Sequence, residues 1–371
     1  MSNFRIMLLS TAAIGFAGAL ATPAFAGEVE KSASFGGHVN RLVSIDDDGD
    51  STDLHTSDAG ASMSRIRFQG SAKSESLTTK AYIEVRARGA NSSSNVGTGG
   101  AQTLSMRHSY LSLSNSMGTL VLGGTNPAGD LNGIGTADFS GANWWGVDKD
   151  SLNPGGANNF VVTGRTAGGQ EDGGLGTTVS PMHTFTSGRG GVIRYDTPDF
   201  NGFSGSVGLK GGGDAAEEPS ASIGYSADYD GTKVAAGYGY TSRAGNDTTY
   251  KNWQSASVAM ELASGINASV MYGRKNNKVS GAIDPTLWSF GVGYDMNVVD
   301  AGPTSLGLTY QQQDDGLVVN DDLKWYGLNV SQSLGDYGTD VYGGVSRAEY
   351  SRTGTNYEDI TSGWVGVRVK F

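Results

Sequence analysis

Residues 76–89, SLTTKAYIEVRARG, set Leu77, Thr79, Ala81, Ile83, Val85 and Ala87 in one phase and Thr78, Lys80, Tyr82, Glu84, Arg86 and Arg88 in the other. Period two over so many positions is the geometry of a strand, whose side chains alternate between faces; a helix would scatter both sets round its circumference. The unit recurs from Phe35 to the end of the chain. It is legible in SRIRFQG (64–70), FSGSVGLKG (203–211), SASIGYSADYD (220–230) and LWSFGVGYDM (287–296). It closes on GWVGVRVKF, where Val365, Val367, Val369 and Phe371 oppose Trp364, Gly366, Arg368 and Lys370. Strands with two unlike faces need two unlike surroundings, and that need limits the folds open to the chain.

The breaks between units alternate in size. Short ones are KSES, NSMG, PDFNG, DG at 230–231, SG at 264–265, DAGP and GDYG; long ones fall at 46–60, 89–101, 125–188, 213–219, 243–251, 275–286, 313–322 and 350–358. Tight hairpins therefore collect at one end of the strands and loops at the other. Seven short and eight long connections join sixteen strands in an antiparallel meander. The even count lets the first and last strands pair and close.

Two all-β folds compete for such a pattern. In a soluble sandwich the apolar face turns into a core; in a transmembrane barrel it meets lipid, while the polar face lines a lumen that tolerates charge and glycine. Here Arg, Lys, Asp and Gln fill the polar phase, while Leu, Val, Ile, Ala, Phe and Tyr fill the other. Tyr225, Tyr229, Tyr238, Tyr240, Phe290 and Tyr294 sit in the apolar phase towards strand ends, where amphipathic rings form a girdle at the headgroups. These features favour an all-β, transmembrane antiparallel barrel of 16 strands. No later stretch approaches the ~18 to 20 apolar residues of a membrane helix.

Residues 1–26 read as an export signal: Arg5 is the basic start, IMLLSTAAIGFAGALA the apolar middle, and AFA the small-x-small cleavage site at Ala26. The mature domain is expected over 27–371. The chain carries no cysteine, so neither a disulfide framework nor a thiolate metal site is available. Its formal charge is −11, and −12 without the leader, which holds one basic residue and no acid. Such an excess of acid argues against nucleic-acid binding, which needs clustered Lys and Arg.

The whole mature chain resembles the general diffusion porins of Gram-negative outer membranes. The matches are FGGHVNRL on the first strand, SRIRFQG on the second, GTLVLGG before the longest break, VIRYDTPDFNGFSGSVGL after it, and the terminal Phe371. The resemblance implies a homotrimer in the outer membrane, each barrel a water-filled channel for passive diffusion of small hydrophilic solutes and ions. It implies that the third long loop, here 125–188, folds into the lumen as a constriction. Outer-membrane lipid and lipopolysaccharide would surround the barrel, and Phe371 would be the signal read by the barrel-assembly machinery. Carried over by position, the basic side of the constriction is His38, Arg65 and Arg107, with Arg67 and Arg86 nearby; the acidic side is Asp130 and Asp138 on the loop. Opposed charges there would set up a transverse field. At ~7 Å and an effective dielectric near 20, one pair interacts by roughly 2 kcal/mol, enough to discriminate among solutes.

Some positions depart from the family pattern. Gly124 stands where many relatives carry a basic residue, and His38 where lysine is common; a mild cation preference is the expectation. Arg107 shares parity with the apolar Leu111 and Leu113, and Leu42 and Arg41 occupy unexpected phases. A substrate-specific porin for sugars or phosphate is an alternative, requiring an aromatic slide or basic ladder; Trp144 and Trp145 could stack on sugars or anchor the loop. A secreted β-rich adhesin or binding protein is another. No catalytic site, cofactor or metal is expected. His38, His55, His108 and His183 are dispersed, and His108 with Ser109, adjacent on a strand, would face apart. DDDGD at 46–50 has its glycine misplaced for a calcium loop.

Overall fold

A computed structural model describes residues 28–58, 62–88, 103–131, 160, 163, 185, 187–212, 215–243, 249–316 and 319–371. The strands are β1 (Glu30–Asp47), β2 (Thr52–Ser57), β3 (Arg65–Lys73), β4 (Thr78–Arg88), β5 (Thr103–Asn115), β6 (Gly118–Thr125), β7 (Gly190–Asp196), β8 (Phe203–Gly212) and β9 (Ala215–Tyr229). They continue with β10 (Thr232–Ser242), β11 (Tyr250–Glu261), β12 (Ile266–Asn277), β13 (Thr286–Val299), β14 (Gly302–Asp314), β15 (Asp321–Leu334), β16 (Thr339–Arg352), β17 (Thr355–Asn356) and β18 (Ile360–Lys370). All share one antiparallel sheet, closed by β1 against β18 from His38↔Lys370 to Asp47↔Thr361. Gly37 and Phe371 exchange both backbone hydrogen bonds at the foot of that seam. Closure leaves no free sheet edge along the seam, which is what lets strands cross a membrane. Among the described residues no helix is long and apolar enough to cross one.

The wall has sixteen lines of strand. β3 pairs with the lower part of β1 and β2 with the upper part, so the two form one interrupted line; β17 extends the line of β18 in the same way along β16. Just before β3, Ser62, Met63 and Ser64 are buried. Several breaks read from sequence as long loops are partly strand. β1 and β2 occupy most of 46–60, β9 begins at Ala215, and β12 and β13 enter 275–286 from both sides. Polar residues at the strand tops continue the ladder because the backbone, not the side chain, makes its bonds. The Asp47–Asp53 run turns back on itself, with Asp48 Oδ1 accepting from the Asp50 and Ser51 amides and Asp47 accepting from Thr52 Oγ1. The Asp230–Gly231 hairpin has positive φ at both residues, 51° and 87°, which fits the twist of the flanking strands.

Alternation is clear along β12 to β15. On β13, Trp288, Phe290, Val292 and Tyr294 are exposed, while Leu287, Ser289, Gly291 and Gly293 are covered. The outward rings touch in rows: Tyr272 with Trp288 at 4.7 Å, Tyr310 with Tyr326 at 5.2 Å, and at the opposite rim Phe35 with Phe68 at 5.2 Å and Phe371 at 6.0 Å. Inward glycines make room for large rings laid flat on the wall. A Cβ on Gly366 would run into the Tyr342 ring, and one on Gly327 into Trp325.

The described residues between β6 and β7 meet inward-facing side chains. Phe160 packs with Leu323, Trp325, Ala348, Tyr350 and Ile360, and Phe185 with Met271 and Leu287. A short 3-10 turn, Ala128–Asp130, sets Gly129 so close to Tyr240 and Thr241 that no side chain would fit there.

Candidate functional site

The inner face of β3, β4 and β5 is a charge cluster built by register. Pairing places Arg65 opposite Arg86, Arg67 opposite Glu84 and Gln69 opposite Tyr82, all in the inward phase. Between β4 and β5 the register slips, Glu84 facing His108 while Val85 faces Met106. The extra residue is Arg107. This bulge answers the parity objection: a residue inserted in one strand lets two consecutive side chains serve the same face. Arg107 therefore turns inward beside His108, while Met106 and Leu104 stay exposed outside.

Glu84 stands at the centre. Its side chain is 3% exposed and accepts from Arg67 Nε at 2.6 Å, Arg107 Nε at 2.7 Å, Arg65 Nη1 at 3.4 Å and Tyr82 Oη at 3.0 Å. One carboxylate among three guanidiniums fixes each of them while leaving the group net positive. His38 donates through Nε2 to the Met63 and Ser62 carbonyls at 3.0 and 3.2 Å. Across the closing seam Arg368 and Lys370 share Asp340, at 2.6 and 2.8 Å, and Arg368 also reaches Ser62 Oγ at 3.0 Å. Arg189 Nε donates to His108 Nε2 at 3.1 Å, so the His108 proton lies on Nδ1 and faces Thr125 Oγ1 at 2.9 Å.

A second cluster lines β8–β12. Glu218 pairs with Lys210 at 2.8 Å and with Arg243, and Lys210 Nζ donates to the Ser187 carbonyl at 2.6 Å. Lys275 lies against the rings of Trp253, Tyr250 and Phe185 at 4.7, 5.0 and 5.6 Å, and Arg243 lies against Trp253 at 4.5 Å. Asp130 is tied here too, accepting from the Ser187 amide at 3.1 Å. Burial pushes its carboxyl up to about 6, against the opposing pull of that amide and of nearby Lys210.

Of the residues singled out in the sequence, His38, Arg65, Arg67 and Arg107 come together, with Arg86 opposite Arg65. Asp130 sits on the β8–β10 side rather than against them; Asp138, Trp144, Trp145 and His183 lie outside the described residues. The Phe371 ring is on the outer face. Glu84, Arg189, Arg368, Lys370 and the Glu218 cluster were not singled out. The signal for two of them was present, since Arg368 and Lys370 occupy the polar phase of the strand that must close beside His38. Among the described residues no group of three or more potential ligands is placed to hold a metal.

The sequence model described as Gram-negative porin matches residues 10–353. Sequence comparison with curated proteins finds no match. Among solved structures, the anion-selective porin from Comamonas acidovorans is similar at TM-score 0.60 and 15% identity, covering 92% of this chain and 100% of that one. In-vitro folded OmpT of Vibrio cholerae, trimer form, is similar at 0.58 and 13%, covering 92% and 99%. Salmonella typhi OmpF in complex with daunomycin is similar at 0.56 and 15%, covering 91% and 97%. At these identities the structures speak to the fold.

Proposed function

The chain belongs to the Gram-negative porin family, and from that premise we propose that it works as a homotrimeric general diffusion pore narrowed by residues 125–188. Membership and fold make it an outer-membrane channel for passive diffusion; the trimer, the constriction and the solute range are the proposal. The observation that carries it is the inversion of a soluble core: Val207, Leu308 and Val365 are 48%, 59% and 56% exposed outside, while Glu84 and its arginines are held within. Phe160 and Phe185 against the inner wall support a loop laid across the lumen. His38, Arg65, Arg67, Arg86 and Arg107 form the basic side, and Asp130 and Asp138 are assigned to the loop side. The trimer form of the Vibrio cholerae neighbour supports the assembly. Outer-membrane lipid and lipopolysaccharide meet the aromatic rows, and Phe371 serves as the assembly signal. The family and fold support a channel rather than an enzyme, and residues 1–26 are assigned to the leader.

The test is reconstitution of the purified protein into planar bilayers, with detergent gels run before and after boiling. Stepwise conductance and heat-modifiable migration are expected. A detergent-free soluble protein that adds no conductance would overturn the reading in favour of an adhesin.

A further inference from the structure

On the short-turn side of Glu84 the lumen wall opens into a recess of about 530 Å³ bordered by His38, Arg65, Arg67, Tyr82, Arg368 and Lys370. A missing side chain makes it. Gly36 holds the inward position of β1 below His38, and a Cβ there would press on the Phe371 carbonyl. Arg67 flanks Gly36 across β3, and Lys370 flanks His38 across β18. Two strand spacings separate β3 from β18, roughly 10 Å, the reach of a short dicarboxylate or a phosphate monoester.

The charge is unbalanced. Arg65, Arg67 and Arg107 share Glu84, and Arg368 and Lys370 share Asp340. Even counting a carboxylate at Phe371, cations outnumber anions here, in a chain whose formal charge is −11. The acid lies elsewhere, in rim turns such as Asp47–Asp53 and at Asp284, Asp300, Asp315 and Asp336. Arg67 and Lys370 are also the open cations, with side chains 41% and 47% exposed, so their remaining donors face water. A guanidinium fork fits an oxyanion in two-point geometry, and a concave site of one charge sign concentrates the opposite ion.

We propose that this recess is a resting site for small oxyanions, solutes bearing a carboxylate or phosphate, in transit through the pore. The inference rests on the channel reading above. It also reverses the mild cation preference expected from Gly124 and His38, because the seam returns positive charge through Arg368 and Lys370.

The full-length protein is recorded as single channels in potassium chloride, with inorganic phosphate or succinate added. Reversal potentials in a salt gradient should lie on the anion side, and one or both probes should cause brief closures whose frequency rises with concentration. Arg67→Gln should shorten those closures roughly tenfold, the worth of one charged hydrogen bond, and Arg67→Lys should restore part of the loss. Lys233→Gln, on β10 across the barrel and paired with Glu261, should leave their duration unchanged. Lys370→Gln carries the same test on the other flank should Arg67→Gln fail to fold. Cation-side reversal, open channels without closures, or equal shortening by Lys233→Gln would each overturn the site while leaving the channel standing. Absence of any conductance would overturn the channel reading and this one with it.

Discussion

The inner faces of β3–β5 and of β15–β18 occupy the same phase of the same alternation, yet they are made of different matter. The first carries Arg65, Arg67, Glu84 and Arg107 in one ionic group. In its loop-side half the second carries Leu323, Trp325, Tyr350 and Ile360, covered by Phe160, with Asp340, Arg368 and Lys370 only at its turn-side end. Phase decides which side of the wall a side chain occupies; it does not decide whether that side is wet. Where Phe160 lies on the wall, the inner face is a small core; on β3–β5 charge is kept because Glu84 pairs with its guanidiniums and Arg67 opens to water.

The largest effect should come from removing the anion of the ionic group. Glu84→Gln leaves three guanidiniums without their shared partner and should cost about 3 to 5 kcal/mol, read as a lower unfolding temperature of the detergent-solubilised protein. Reversal potentials should move further to the anion side. An unchanged stability would mean that the guanidiniums are held by water rather than by Glu84. On the other wall, Trp325→Ala removes a ring that is 1% exposed and should cost about 3 to 4 kcal/mol through the cavity it leaves. Its signature differs: conductance should rise as Phe160 loses its seat, with no change in reversal potential. A selectivity shift from Trp325→Ala would erase the distinction between the walls.

How much of this was legible beforehand differs between the walls. Outward residues such as Val207, Phe290 and Leu308 announce themselves because lipid admits only apolar side chains, so one phase is nearly pure. The inward phase has no such uniformity. On β15, Trp325 faces in and Tyr326 faces out, and nothing in the pair Trp-Tyr says which. Arg107 looked misplaced because a one-residue bulge is invisible to parity counting. Arg41 and Leu42 looked reversed and are so: Leu42 packs inward with Tyr342 and Trp364, while Arg41 reaches Asp58 at 3.4 Å from the outer side. The closing seam was legible as a pairing, but its chemical consequence, Arg368 and Lys370 delivered beside His38, depends on register. Register lies in the ladder, not in local composition.

The outer face should be indifferent to the contrast inside. Val207→Arg on β8 and Leu308→Arg on β14 should each cost about 2 to 3 kcal/mol near the bilayer midplane, whereas Ser206→Arg, one residue inward, should be tolerated. Refolding yields into lipid vesicles would report both. Equal tolerance at 206 and 207 would undo the assignment of faces, and with it any comparison of inner walls.

The smallest effect concerns Asp130, which belongs to neither wall but ties the start of the long segment to the β8–β10 side. Its carboxyl is held at about 6 against an ordinary 3.8, and burial is the cause. A folded-state value above the unfolded one means that the folded chain binds the proton more tightly, so stability should rise as pH falls from 7 through 6 towards 4. Between pH 7 and 5 the gain should be about 1 kcal/mol. Asp130→Asn should flatten that slope and, since a carboxyl at about 6 is still mostly ionised at pH 7, move reversal potentials slightly to the anion side. A stability that falls with acid over this range would mean that the Ser187 amide and Lys210 outweigh burial. Asp130 would then stay ionised through that range and hold the long segment by its charge.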